Sequence, residues 1–223
     1  MALHVLNPHS PFFHEERHAF LAAHLDQEIT ICGVGALGGN LAETLARMGF
    51  SRLKVVDRDR VEMRNLSTQP YCRGEVGAPK ARILANTLYR VVQTRVDPVV
   101  ADLTADNAIA LLQGSALIVD AFDNRAARLA VSEAALRLAI PCLHIGFSGD
   151  GLYGSGVWEP DYVVPQAAPG DPCDYPLTRP FALTIAALAA RVVVEHFTID
   201  TRTAFELTWE DLRIGRTTVP CSC

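Results

Sequence analysis

Apolar residues fall in short runs separated by amphipathic stretches, and this alternation holds as far as Gly146. Residues 29–32, 53–56, 96–100, 116–120 and 142–146 are the runs, and each reads as a buried strand. Between them apolar residues recur at helical spacing. Leu37, Leu41, Leu45 and Met48 lie on one helix face, and Ile83, Leu84, Leu88 and Val91 define a second helix over 79–92. Residues 105–112 and the alanine-rich 125–139 give two more. This alternation predicts an α/β fold, a Rossmann-like, mostly parallel sheet with right-handed crossovers and helices on both faces. Pro98 cannot donate to a ladder, which places the third strand near an edge.

The pattern changes after Gly146. Residues 148–158 alternate and are rich in glycine, predicting antiparallel strands at the sheet edge. Residues 159–180 form a long loop with six prolines, and loops of that length usually carry function. A strongly apolar helix follows over 181–197, and 204–209 with 212–219 form a closing hairpin. Upstream, 11–25 reads as an amphipathic helix with Phe13, Phe20, Leu21 and Leu25 as its apolar points, free to pack on the sheet or on a second subunit. The expected organisation is a helical segment over 1–27 and a single domain over 28–223, with 147–223 as its antiparallel extension, helix and hairpin.

The chain has 223 residues, 49% of them apolar, enough to bury the core of one large α/β domain. Its net charge of -5 argues against a nucleic-acid surface. No uninterrupted apolar run reaches the ~18 residues of a membrane span. The N-terminus lacks a basic, apolar, small-residue export pattern. The expectation is a cytoplasmic protein with reduced thiols and no membrane partner. Cys32 and Cys142 lie in strands and read as small buried apolar residues.

Candidate chemistry gathers at the strand ends. Gly33, Gly35 and Gly38 form G-x-G-x-x-G between the first strand and its helix, and the second strand ends on Asp57. The glycines allow a tight turn and close approach to phosphate, and an acid at that place can bond ribose hydroxyls. Asp59, the loop 65–69 with Asn65 and Gln69, Lys80 at a helix start, and Asp123, Asn124 and Arg128 after the fourth strand share the same carboxyl edge. A cation for phosphate, acids for ribose or Mg²⁺, and amides for hydrogen bonding suit a nucleoside triphosphate better than a dinucleotide.

These residues resemble the ThiF/MoeB-like adenylyltransferases, relatives of the ubiquitin-activating enzymes. The matching pieces are the loop 33–38, Val55-Val56-Asp57-Arg58-Asp59, Asn65-Leu66-Ser67-x-Gln69, Val76 to Ala81 and Val119 to Asn124 with Arg128. The resemblance implies binding of ATP with Mg²⁺ and adenylation of a carboxylate, typically the C-terminal glycine of a small ubiquitin-like or sulfur-carrier protein. By position, Asp57 would hold the ribose, Asn65, Gln69 and Lys80 would face the phosphates, and Asp123 would serve Mg²⁺ and the reacting centre. A homodimer is implied as well, and the apolar segments 12–25 and 181–197 carry more apolar surface than lone peripheral helices need, which offers them to a second subunit.

The departures from the family pattern are specific. Thr68 stands where the family usually carries an arginine, and Arg17 is the only N-terminal counterpart of an arginine that the family's partner subunit often donates. The family's paired zinc thiols are reduced to Cys173, Cys221 and Cys223, which leaves Zn²⁺ open, because structural zinc takes four ligands and only Asp171 or Asp174 is at hand. Acidic neighbours disfavour a thiolate at Cys173, so no thioester step is expected there. Two other functions fit the glycine loop: an NAD-dependent oxidoreductase, although no Tyr-x-x-x-Lys pair appears, and a non-catalytic nucleotide-binding subunit of a heterodimer.

Overall fold

The computed structural model describes residues 7–18, 21, 23–166 and 175–220, with backbone alone for 218–220. One eight-stranded sheet runs through it in the order β3-β2-β1-β4-β5-β6-β7-β8. Strands β1 (Glu28–Cys32), β2 (Arg52–Val56), β3 (Val96–Val99), β4 (Leu117–Asp120) and β5 (Cys142–Phe147) are parallel. Strands β6 (Tyr153–Trp158), β7 (Thr201–Thr208) and β8 (Arg213–Pro220) extend them antiparallel. The helices are α1 (Gly38–Arg47), α2 (Lys80–Val92), α3 (Ala108–Leu112), α4 (Arg125–Leu138) and α5 (Arg179–Ile199). The chain winds outward from β1 to β3, then returns to place β4 on the other side of β1. That reversal opens a crevice at the carboxyl ends of β1 and β4, where open α/β sheets bind ligands.

The two-residue period of the strands divides the core. Ile29 and Ile31 point into one layer with Leu41, Leu45, Leu84, Leu88 and Phe181, and Cys32 points into the other with Ala108, Leu112 and Val131. Burying each such leucine, isoleucine or phenylalanine contributes about 1.5–3 kcal/mol. Cys32 and Cys142 are fully buried, as their strand positions predict. Strand β3, with Pro98, is an edge strand as expected.

Three expectations are corrected. The described part of 11–25 holds turns, one short 3-10 helix, Glu15–Arg17, and α-helical backbone at Leu21, in place of a continuous helix from 11 to 25. Ser10 Oγ accepts from the Phe12 N–H at 3.1 Å, as an N-cap does, but the turn it opens does not continue as an α-helix, and the turns dock Phe12, Leu21 and Leu25 on the core. Residues 148–158 hold one strand, β6, and it lies inside the sheet because the hairpin β7–β8 covers its outer side. A Cβ on Gly154 would overlap the Ile185 side chain, so the glycine is what lets α5 lie against β6.

Helix α5 is the third correction. By length and composition it is apolar enough to cross a membrane, which a search for uninterrupted runs misses because Arg191 and Glu195 break the sequence. In the fold it is a core helix, with Phe181, Ile185, Ala189 and Val193 buried. Glu195 is buried between Arg191 at 2.8 Å and Arg216 of β8 at 2.5 Å. The sheet therefore consumes most of the apolar surface that the pattern at 181–197 offered to a second subunit.

Candidate active site

A cavity of about 870 Å³ opens at the carboxyl ends of the parallel strands. Gly33, Gly35, Asp57, Asp59, Gln69, Lys80, Asp123, Asn124 and Arg128 all line it, although they come from five separate segments. Gly38 and Asn65 stand behind the wall. A Cβ on Gly38 would overlap the Gly33 carbonyl oxygen, so Gly38 sets the closeness of the loop to its helix. Gly33 holds φ +84°, which a side chain would strain, and next to Gly35 the space stays open, with the Gln69 amide as the nearest group at 3.8 Å. The loop is thus a cradle that side chains would fill.

Asp57 fixes that cradle. Its Oδ2 accepts from the Val34 N–H at 2.8 Å and its Oδ1 from the Asp59 N–H at 2.7 Å. Burial pushes its pKa up, against the pull of Lys80 and of the two N–H groups. Tyr71 donates its hydroxyl to the Val34 carbonyl at 2.7 Å, and Asn40 ties α1 to the following loop through the carbonyls of Ala36 and Thr68, at 2.6 and 2.8 Å. The hydroxyl of Tyr71 and the amide of Asn40 were not anticipated, since each makes a buried contact with no sequence signature.

Lys80 opens α2 and is buried, with Nζ 3.3 Å from Asp59 Oδ2. A cation at a helix N-terminus faces the positive end of the dipole, so it does not serve the stability of the helix. An anion beside it is attracted by both. Asn65 instead closes a local turn, its Oδ1 accepting from the Glu62 N–H at 2.9 Å. Gln69 Oε1 is buried with no hydrogen-bond partner among the described residues, an acceptor suited to a ligand hydroxyl or amine. Asn124 caps α4 by accepting from the Ala127 N–H at 2.9 Å, which sets Asp123 at the mouth of that helix beside the cavity. No group of three or more His, Cys, Asp or Glu suited to a metal occurs among the described residues. A lone Asp123 still fits Mg²⁺, which commonly takes one or two carboxylates and completes its shell with phosphate and water. Cys173, Cys221 and Cys223, and the acids Asp171 and Asp174, lie outside the described residues.

Beneath the cavity lies a charged cluster that the motifs only partly indicated. Asp120 is fully buried, with Oδ2 3.5 Å from Arg128 Nη1 and 2.8 Å from His144 Nδ1. His144 Nε2 is 3.0 Å from Glu159 Oε1, which also accepts from Ser132 Oγ at 2.5 Å. Each imidazole nitrogen thus faces a carboxylate, and only the doubly protonated ring can donate to both. Two carboxylates against Arg128 and an imidazolium also make the cluster neutral. Burial alone lowers the pKa of His144, but the hydrogen bonds and charges of Asp120 and Glu159 outweigh it, and the net shift is upward. The rule that strand ends gather at the site flags Asp120 and His144; nothing in the sequence flags Glu159.

The sign of the pH effect follows. A histidine whose pKa rises on folding stabilises the fold fully below its unfolded value, roughly pH 6.5, and loses that contribution as pH climbs through the folded value. The stability advantage of wild type over His144→Gln, read from urea midpoints, is expected to be larger at pH 6 than at pH 9. An equal advantage at both would show that folding does not raise the pKa of the ring.

Comparison with known proteins matches this geometry to a family. The ThiF family model matches residues 11–156. The ThiS sulfur-carrier adenylyltransferase of Bacillus subtilis is 41% identical over 119 residues, 51% of this chain and 35% of that protein. A sulfur-carrier adenylyltransferase of Thermus thermophilus is 36% identical over 115 residues, 51% of this chain and 42% of its own length. The matches thus span less than half of either relative. Among solved structures, Escherichia coli MccB with MccA-N7isoASN superposes with a TM-score of 0.78 at 14% identity, covering 97% of this chain and 73% of that one. The Escherichia coli tRNA N6-threonylcarbamoyladenosine dehydratase in complex with ATP gives 0.72 at 20% identity, covering 85% and 94%. Both share the fold.

Proposed function

The chain belongs to the ThiF family, and from that premise we propose that it adenylates a carboxylate with ATP, the acceptor being the C-terminal glycine of a small sulfur-carrier or ubiquitin-like protein. The observation that carries this reading is the meeting of the glycine cradle, the buried Lys80 and Asp123 in one cavity. On this reading the phosphates lie along Gly33 and Gly35 and the ribose hydroxyls bond Asp57. Lys80 leaves Asp59 for the phosphates, and the Gln69 amide gains its missing partner. The acceptor carboxylate attacks the α-phosphorus in line, forming an acyl–phosphate bond. The bond to the β-phosphate oxygen breaks and pyrophosphate leaves. No protein base is required, because the carboxylate is already ionised at neutral pH. Asp123 would hold Mg²⁺, which would supply further neutralisation of charge.

Calorimetric titration with ATP-Mg²⁺ and with NAD, followed by ATP–pyrophosphate exchange with purified B. subtilis ThiS, tests the assignment. ATP binding and carrier-dependent exchange are expected. NAD binding without ATP binding would assign the chain to the oxidoreductases, and ATP binding without exchange for any candidate carrier would favour a non-catalytic subunit.

A homodimer belongs to the same reading. Leu212 and Ile214, at the turn of the hairpin, remain exposed at 67% and 47% and offer apolar contact for a second copy. Light scattering at micromolar concentration is expected to give twice 24.2 kDa; the monomer mass alone would remove the dimer from the proposal.

A further inference from the structure

The cavity has a second wall that no motif explains. Residues 160–166 leave β6 and pass across the cavity, with Tyr162, Pro165 and Gln166 lining it. The Asp161 N–H ties the start of this strap to the Trp158 carbonyl at 3.0 Å, and two side-chain anchors, both from the first turn of α4, hold the rest. Arg125 Nη1 donates to the carbonyls of Val164 and Pro165 at 3.0 and 2.7 Å. Arg128 Nη1 donates to the Tyr162 hydroxyl at 2.8 Å, while its Nη2 donates to the Ile145 carbonyl at 2.8 Å. The Tyr162 ring lies flat on His144, with centroids 3.7 Å apart and planes 5° apart. His144 is itself fixed from both sides by Asp120 and Glu159.

We propose that Tyr162 is a positioning residue, and that its seat on His144 turns the strap into the rigid wall against which the acceptor's carboxyl-terminal segment is held. This rests on the adenylation reading and adds a residue to it. The geometry favours the acceptor side over the nucleotide side. The glycine cradle, Asp57 and Lys80 occupy the β1–β2 end of the cavity. The strap lies over β5 and the start of α4, and Phe147, Tyr153 and Tyr175 line the same cavity. Asp123 sits between the two ends, just before the helix whose first turn clamps the strap. Loss of the seat therefore frees the acceptor wall without disturbing the phosphate cradle. A stacked ring on a fixed partner supplies such a wall at small entropic cost, because only two side-chain torsions are frozen.

The test compares wild type, Tyr162→Phe and Tyr162→Ala by three measurements. Amide order parameters at Val163, Val164 and Gln166 are expected at about 0.8 in wild type and below about 0.6 in Tyr162→Ala, with the larger fall at 163, while Asp161 keeps its bond to the Trp158 carbonyl. ATP affinity is expected to change by less than about twofold, while KM for B. subtilis ThiS rises about tenfold with kcat within about threefold. Tyr162→Phe keeps the stack and loses only the bond to Arg128, so the order parameters are restored and KM rises no more than about threefold. Unchanged order parameters in Tyr162→Ala would overturn the seat. A loss of ATP affinity in step with acceptor KM would reduce Tyr162 to a general structural residue. Absence of exchange in wild type counts against adenylation of this carrier, and the order parameters then still decide whether Tyr162 holds the strap.

Discussion

Replacing Lys80 by alanine is expected to lower carrier-dependent ATP–pyrophosphate exchange by roughly 10²–10³-fold, the usual cost of removing one preorganised group from a site where charge develops. The reasoning is electrostatic. Lys80 is 6% exposed, so its charge acts through little water, and it stands at the start of α2, where it is unfavourable to the helix. Its present partner, Asp59, is half exposed and can turn to solvent once phosphate replaces it. The fold should hardly respond, because the Lys80 N–H still donates to the Asp59 carbonyl at 2.9 Å. The measurement is exchange rate against thermal midpoint for wild type, Lys80→Ala and Lys80→Arg. Arginine keeps the charge and should recover part of the rate. Near-normal exchange in Lys80→Ala with an intact fold would remove the residue from the mechanism.

The second large effect concerns stability. Asp120→Ala is expected to cost roughly 3–5 kcal/mol, the range found when one partner of a buried ion pair is removed and the other charges remain. Asp120 accepts from three directions: Oδ1 takes the Phe122 N–H at 3.0 Å, and Oδ2 faces Arg128 and His144. Alanine leaves a buried guanidinium and one imidazole nitrogen without their carboxylate. Asp102→Ala provides the contrast. Its 2.7 Å pair with Arg58 is half exposed on the cavity rim, so its loss should cost under about 1 kcal/mol. Urea denaturation of the two variants separates the cases. Equal, small losses would mean that water reaches the cluster around Asp120.

The sequence carried the order of elements and most of the cavity. Period-two and helical spacings are relations between near neighbours, so the five parallel strands and the helices between them were legible to within a few residues. The glycine loop, Asp57 and Asp123 were legible because each sits where a strand ends, and the topology of a parallel sheet brings strand ends together whatever the intervening loops do; Lys80 was legible as the first residue of the helix that packs back from that edge. The failures were of a different kind. The expected helix over 11–25 has the apolar spacing and a capping bond at Ser10, but docking of Phe12, Leu21 and Leu25 on the core selects turns instead. Residues 148–158 looked like an edge because the hairpin that covers them lies far along the chain.

What the sequence determined by itself was therefore local periodicity, turn chemistry and the residues that reach the carboxyl edge. Tertiary structure alone decided which of those residues face the cavity and which are spent on holding it. Asn65 and Gly38 went behind the wall, while Asp120, His144, Glu159 and Tyr162 became one assembly. Its bonds join residues 15, 24 and 34 positions apart. The protonation of His144 and the placing of the strap depend on burial and on those distant partners, and neither is a property of any stretch of sequence read alone.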